Sequence, residues 1–157
     1  MEVPVSLEEE SADIRSRALA EARLWLGTPY RHQASCRGAG CDCLGLLRGV
    51  VRGLYGREPE EAPDYAPDWS AAGREELREA GRRWLEEIAI EAALPGDVLL
   101  FRWRDGVPAR HVGLLADGQK LIHAYERVGV IESPLVPAWR RRISNAFRFP
   151  EEPSWQL

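Results

Sequence analysis

Apolar residues recur at helical spacing in the first half of this chain and cluster into short strand-like runs in the second. Ile14, Ala18, Ala22 and Trp25 share one helical face. Ser6 with Glu9 three residues on makes a capping-box pattern at the start of that helix. Gly27 and Pro29 close it. Residues 30–40 read as loop. Asp42, a good N-cap, precedes a second apolar helical run through Leu54. Residues 56–70 carry prolines, glycines and aromatics and read as an ordered surface loop. Leu77, Ala80, Trp84 and Ile88 fall on one side of a third predicted helix over residues 71–90.

After Pro95-Gly96-Asp97, a turn, the period changes. Residues 98–103, 111–115 and 121–125 read as strands, with two more at 128–131 and 146–149. Helices followed by an antiparallel sheet predict an α+β fold. Residues 1–149 form one domain on this reading. Residues 150–157, with two prolines and two glutamates, form a C-terminal tail.

The hairpin at Asp117-Gly118 admits two turns. A two-residue loop pairs Val112 with His123 and puts His111 on the opposite face. A three-residue loop, Ala116-Asp117-Gly118 with Gly118 left-handed, pairs His111 directly with His123 on one face. The second is preferred, because it makes a chemical unit of the two imidazoles.

Composition narrows the function. The chain has 157 residues, 45% of them hydrophobic and 29% charged, enough for one domain with a real core. A net charge of −4 disfavours nucleic acid as the main partner. No apolar run reaches the roughly 18 residues of a membrane span, so no membrane insertion is expected. The acidic first ten residues lack a signal-peptide pattern, which predicts a protein made in the cytoplasm. Cys36, Cys41 and Cys43 lie too close together to staple a fold and are expected as reduced thiols. His32 with these three cysteines offers a zinc alternative. It lacks the paired short spacing of most zinc sites, so neither a metal nor another cofactor is expected.

Cys43 carries the candidate chemistry. A thiol in the first turn of a helix sits at the positive end of the backbone dipole, which favours the nucleophilic thiolate. Downstream, His111 and His123 can supply a base and the group that orients it. Taken singly, each has a plainer reading. A cysteine in an apolar helix is usually core, a strand histidine is usually satisfied by hydrogen bonds, and Asp42 is a helix cap. The arginine run 140–142 reads as a solvated turn.

In order along the chain stand Gly27-Thr28-Pro29-Tyr30, Asp42-Cys43-Leu44-Gly45, Pro95-Gly96-Asp97-Val98-Leu99, His111-Val112-Gly113 and Leu121-Ile122-His123-Ala124. This series resembles the NlpC-type cell-wall cysteine peptidases, a papain-like family. Cys41-Asp42-Cys43-Leu44-Gly45-Leu46, the loop around Asp64-Tyr65 and Pro137-Ala138-Trp139-Arg140 look like its phage-tail and gene-transfer-agent subgroup. The resemblance implies a papain-like fold and hydrolysis of stem-peptide amides in peptidoglycan, typically after γ-linked D-glutamate. It implies Cys43 as nucleophile, His111 as base and His123 as its orienting partner. Tyr30 and Asp42 would hold the substrate amine, and the Cys43 N–H and Tyr30 hydroxyl would face the oxyanion. Leu44 replaces the family's serine and would turn a hydrogen-bonding wall apolar. The implied partners are peptidoglycan and the hub or baseplate proteins of a phage-like tail, with the chain incorporated in a virion-like particle. A structural tail-tip protein without activity, or an amidase or acyltransferase on another substrate, are the alternatives.

Overall fold

A computed structural model of the protein describes residues 7–60 and 75–156. Ser6, and with it the proposed capping box, lies outside them, as do residues 61–74 and most of the aromatic loop. Two helices, α1 (Leu7–Arg23) and α2 (Cys43–Tyr55), cover one face of a six-stranded antiparallel sheet. The strands are β3 (Glu86–Ile88), β4 (Val98–Phe101), β5 (His111–Ala116), β6 (Lys120–Tyr125), β7 (Gly129–Pro134) and β8 (Ile143–Arg148). Their order is β3-β8-β4-β5-β6-β7, every neighbouring pair antiparallel. Two short strands, β1 (Ser35–Cys36) and β2 (Gly40–Cys41), form a small ribbon ahead of α2. The α+β expectation is met.

The main core lies between α1, α2 and the sheet. Ile14, Ala18 and Ala22 of α1 and Cys43, Leu46, Val50 and Leu54 of α2 are buried there against Val98, Val112, Leu114 and Ile122. Spacings of three and four along each helix put these side chains on one face. The helices approach closely because Gly49 has no side chain, and a Cβ there would lie 2.0 Å from the Trp25 ring. The other sheet face carries a smaller cluster, Leu99, Phe101, Leu115, Leu121, Leu135 and Ala146, capped by Trp139. Trp139 comes from α4 (Pro137–Arg140).

The third helix ends earlier than its periodicity predicts. Among the described residues it is α3 (Glu76–Trp84), and Leu85 is extended. Glu86–Ile88 is strand β3, paired with Ala146, Phe147 and Arg148 of β8. Backbone pairing along the sheet edge takes those residues, and Asn145 Nδ2 of β8 also holds the Glu87 carboxylate at 2.9 Å. The i, i+4 relation between Trp84 and Ile88 is coincidental.

The C-terminal segment also departs from the expectation of a tail. Pro150 and Pro153 are buried, and the Pro150 carbonyl accepts the Tyr55 hydroxyl at 2.6 Å. Trp155 packs edge-on against Tyr55, ring centroids 5.2 Å apart, under the Arg57 guanidinium. Its indole therefore occupies a place on its own domain. Truncation after Phe149 removes the Pro150 carbonyl from the Tyr55 hydroxyl and uncovers apolar surface. Such a chain is expected to lose about 1–3 kcal/mol of stability, the usual cost of an abandoned buried hydrogen bond. Urea unfolding measures it, and an unchanged midpoint would show that the segment contributes nothing.

Candidate functional site

The site begins with the way α2 starts. Asp42 is its N-cap and is almost fully buried. One carboxylate oxygen accepts the Gly45 N–H at 2.7 Å, and the other accepts the Gln33 N–H at 2.7 Å. Gln33 adopts a left-handed backbone (φ 62) to make that bond, a conformation that costs a non-glycine residue about 1 kcal/mol. A Cβ at Gly45 would lie 1.9 Å from the Ala34 carbonyl oxygen, so only glycine lets the preceding loop lie this close. Cys43, the first residue of α2, is thereby fixed between the ribbon and β5.

The Cys43 thiol lies within reach of the backbone N–H groups of Val112, Leu44 and Cys43 itself, all of which favour thiolate. Burial and the Asp42 carboxylate oppose them and prevail, pushing the thiol up to about 12. The favourable pull of the helix start is present but outweighed by burial in the substrate-free protein. A helix terminus stabilises thiolate by a modest amount, whereas removing a charge from water costs more.

His111 opens β5, and His123 lies in the second half of β6. Their hairpin has the expected left-handed Gly118 (φ 71), but its three loop residues are Asp117-Gly118-Gln119. Ala116 pairs with Lys120 and Leu114 with Ile122, which puts His123 opposite Gly113. The shift has a cause: the Gln119 carbonyl accepts the Leu135 N–H at 2.9 Å, holding Gln119 in the turn (φ 58). The two histidines share a face, as expected, but as diagonal neighbours and not as a direct pair. Gly113 permits the diagonal contact, since a Cβ there would lie 3.1 Å from the His123 Cβ.

His111 Nε2 lies 2.8 Å from His123 Nδ1, and His123 Nε2 lies 3.1 Å from Ser133 Oγ. With both rings neutral, one proton arrangement satisfies this chain and leaves a lone pair on His111 Nδ1. His111 donates from Nε2 to His123, and His123 donates from Nε2 to Ser133. Burial, the neighbouring His123 and Arg110 hold His111 down to about 3. Burial holds His123 down to about 4. Trp139 packs on both rings, with centroids 5.6 Å from His111 and 5.3 Å from His123, and Trp103 stacks on His111 at 6.4 Å.

A cavity of about 370 Å³ joins these parts. Tyr30, Asp42, Cys43 and His111 line it, along with His32 and Trp103. Burial and the negative groups around it raise the Tyr30 phenol above its ordinary value, so its hydroxyl stays a donor. Leu44 is absent from the lining and packs on the main core instead. Only its backbone N–H faces the thiol, because α2 turns its side chain inward. Cys41 is fully buried and Cys36 exposed. Among the described residues no group of three or more His, Cys, Asp or Glu side chains is arranged to hold a metal.

Ser133 and Trp139 escaped the sequence reading. Ser133 lies within β7 and Trp139 in the helix after it, so their places depend on strand register, although the Pro-Ala-Trp run gives a signal for Trp139. The sequence offers His32 only as a zinc ligand. It sits 3.8 Å from the Asp42 carboxylate at the cavity wall.

The profile of the NlpC/P60 family matches residues 27–148. The chain belongs to the NlpC/P60 family. It is 29% identical over 140 residues to the Murein DD-endopeptidase MepS/Murein LD-carboxypeptidase of Escherichia coli, covering 88% of this chain and 64% of that protein. It is 30% identical over 126 residues to the Probable endopeptidase NlpC of Escherichia coli, covering 79% of this chain and 71% of that protein. The chain thus spans just under two thirds of the first of these relatives. The fold is similar to that of the peptidoglycan hydrolase RipB from Mycobacterium tuberculosis, with a TM-score of 0.58 at 18% identity over 94% of this chain and 72% of that one.

Two outcomes follow from the buried groups. Histidines with depressed values favour the folded state fully above about pH 6.5, the unfolded value, and lose that contribution as pH falls toward about 3–4. Each is expected to steepen acid destabilisation by up to about 1.4 kcal/mol per pH unit in that window. His123→Gln should flatten the dependence seen by urea unfolding between pH 7 and 4.5, and equal slopes would contradict it. In the substrate-free protein, iodoacetamide at neutral pH should modify exposed Cys36 before Cys43, with the Cys43 rate climbing under alkaline conditions. Peptide mass spectrometry reads this directly, and faster labelling of Cys43 below pH 7 would mean that a thiolate–imidazolium pair already exists.

Proposed function

We propose that this chain is a thiol endopeptidase that hydrolyses amide bonds in peptidoglycan stem peptides, with Cys43 as nucleophile, His111 as base and His123 as the residue that orients it. The observation that carries the reading is the Ser133–His123–His111 hydrogen-bonded chain. Its inner member, His111, lines the same cavity as the thiol. Family membership and the activities named for the relatives support the substrate class.

The raised thiol and lowered imidazole describe a neutral resting pair. Attack and proton transfer are then concerted: the sulfur forms a bond to the carbonyl carbon while its proton passes to His111 Nδ1. The imidazolium shares its Nε2 proton with His123, whose ring is steadied by Ser133. His111 then protonates the leaving amine as the C–N bond breaks; water, giving a proton to His111, adds to the thioester carbon, and as the C–S bond breaks the sulfur takes that proton back and the acid is released. The N–H groups around Cys43 and the Tyr30 hydroxyl serve the developing oxyanion. Asp42, whose oxygens already accept backbone N–H groups, presents negative charge to a substrate amine while it holds the loop.

The proposal includes delivery by a phage-like tail tip, where the chain opens the wall during DNA entry and docks on hub or baseplate proteins. Its support is the likeness of the Cys41–Leu46 and Pro137–Arg140 segments to that subgroup. Purified protein incubated with muropeptides and intact sacculi, with products read by mass spectrometry, tests the chemistry. Cys43→Ala should abolish cleavage, and His111→Ala should lower kcat by 10²–10⁴-fold, the usual worth of a positioned base. Ser133→Ala should lower kcat more modestly with KM little changed. An inactive wild-type protein found in purified tail particles would establish the structural alternative, and an active one absent from particles would remove the tail role.

A further inference from the structure

Beside the candidate active site lies a second cavity, of about 450 Å³, which no step above uses. Arg102, Arg104, Arg141 and Arg142 line it together with Trp103 and Asp105. The arginines come from two distant stretches of chain. They meet because the Arg102 N–H donates to the Arg142 carbonyl at 2.9 Å where β4 runs beside β8. The pairing there slips by one residue between Leu100 and Phe101, and such a bulge re-aims the residues that follow.

Four guanidiniums around one concavity repel each other, and in a chain of net charge −4 carboxylates are plentiful. Among the described residues, no carboxylate pairs with Arg104, Arg141 or Arg142. Arg102 reaches only Asp105, at 3.5 Å, and the Asp105 side chain is 99% exposed. By contrast, Arg48, Arg52, Arg82 and Arg148 each hold a carboxylate at 3.1 Å or less. Positive charge left uncompensated in a concave site is an arrangement for an anion that arrives from outside.

Trp103 ties this cavity to the chemistry. It lines both cavities and stacks on His111. The Arg142 and Arg110 guanidiniums sit over its ring at 5.0 and 5.1 Å. An anion held by the arginines would sit across one indole from the His111 imidazole, within the span of a peptide that also occupies the cavity at Cys43. Resting on the peptidase reading, we propose that this cavity is a substrate subsite that takes the free C-terminal carboxylate of the stem peptide being cleaved. The guanidinium fork matches a carboxylate in two parallel hydrogen bonds, and a concave arrangement of several forks selects an anionic end over a neutral one.

The probes are one stem peptide in two forms, its C-terminus free or amidated, at fixed ionic strength. Binding to the Cys43→Ala protein is measured by calorimetry, and cleavage by the intact protein is followed separately. The free acid should bind on the order of 10- to 100-fold more tightly than the amide, the usual worth of charge-assisted hydrogen bonds. The double variant Arg104→Gln/Arg141→Gln should erase that preference while binding and cleaving the amide as before. Inorganic phosphate should compete against the acid and leave the amide unaffected. Equal binding of acid and amide, or a preference that survives the double variant, overturns the subsite whatever the activity. A preference that is present and lost as expected, in a protein that cleaves neither peptide, upholds the subsite and overturns the peptidase reading instead.

Discussion

The site depends on the grip of one carboxylate on two backbone segments. Asp42 caps α2 through Gly45 and at the same time holds the loop at Gln33. Because both oxygens are used, the position of the first helical residue is decided from two directions. Cys43 is that residue. Its sulfur meets the Val112 N–H because β5 packs beneath the same helix end. Loss of the Asp42 carboxylate would leave buried N–H groups without acceptors as well as free the thiol to move. Precision at the thiol comes from this double constraint, since a loop cysteine with the same neighbours would have neither.

Burial sets the chemistry of the second half of the site. The aromatic shell of Trp103, Trp139 and Phe101 around His111 excludes water from the imidazole. A charged ring there is unfavourable, so the resting histidines are neutral and can form one directional chain to Ser133. The same desolvation keeps the thiol protonated. Acid and base are thus both uncharged before substrate arrives, and charge appears only as the tetrahedral adduct forms, where the surrounding N–H groups are already aimed. A site of this kind invests its electrostatics in the transition state and little in the ground state.

Trp103 and Trp139 also connect regions that the chain order keeps apart. Trp139 reaches from α4 across the ends of β4, β5 and β6, touching Phe101, His111, His123 and Tyr125. Trp103 packs against both the imidazole and the arginines. The smaller core on this side of the sheet therefore supports the histidine face much as the main core supports the cysteine.

The sequence by itself determined the helix that carries Cys43, because Asp42, the apolar spacing to Leu54 and the closing Gly56 all act within a few residues of one another. It determined the α+β order and the five strands after Pro95 for the same reason, since local periodicity and turn chemistry suffice. The motif series was enough to indicate the family. What it left undetermined depended on partners distant in the chain. The loop at Gly118 suited more than one register, and the Leu135 N–H, held in place by the next strand, decided which. Glu86–Ile88 continued a helical pattern until β8 offered it a sheet edge. Leu44 looked like a cavity wall from its place beside Cys43, yet the rotation of α2 against the core turned it away. The tail looked free because nothing nearby claimed Trp155, and Tyr55, against which it packs, precedes the whole six-stranded sheet in the chain. The sign of the thiol's shift followed the same rule: a helix dipole is local and legible, whereas desolvation is the sum of everything that packs around the sulfur.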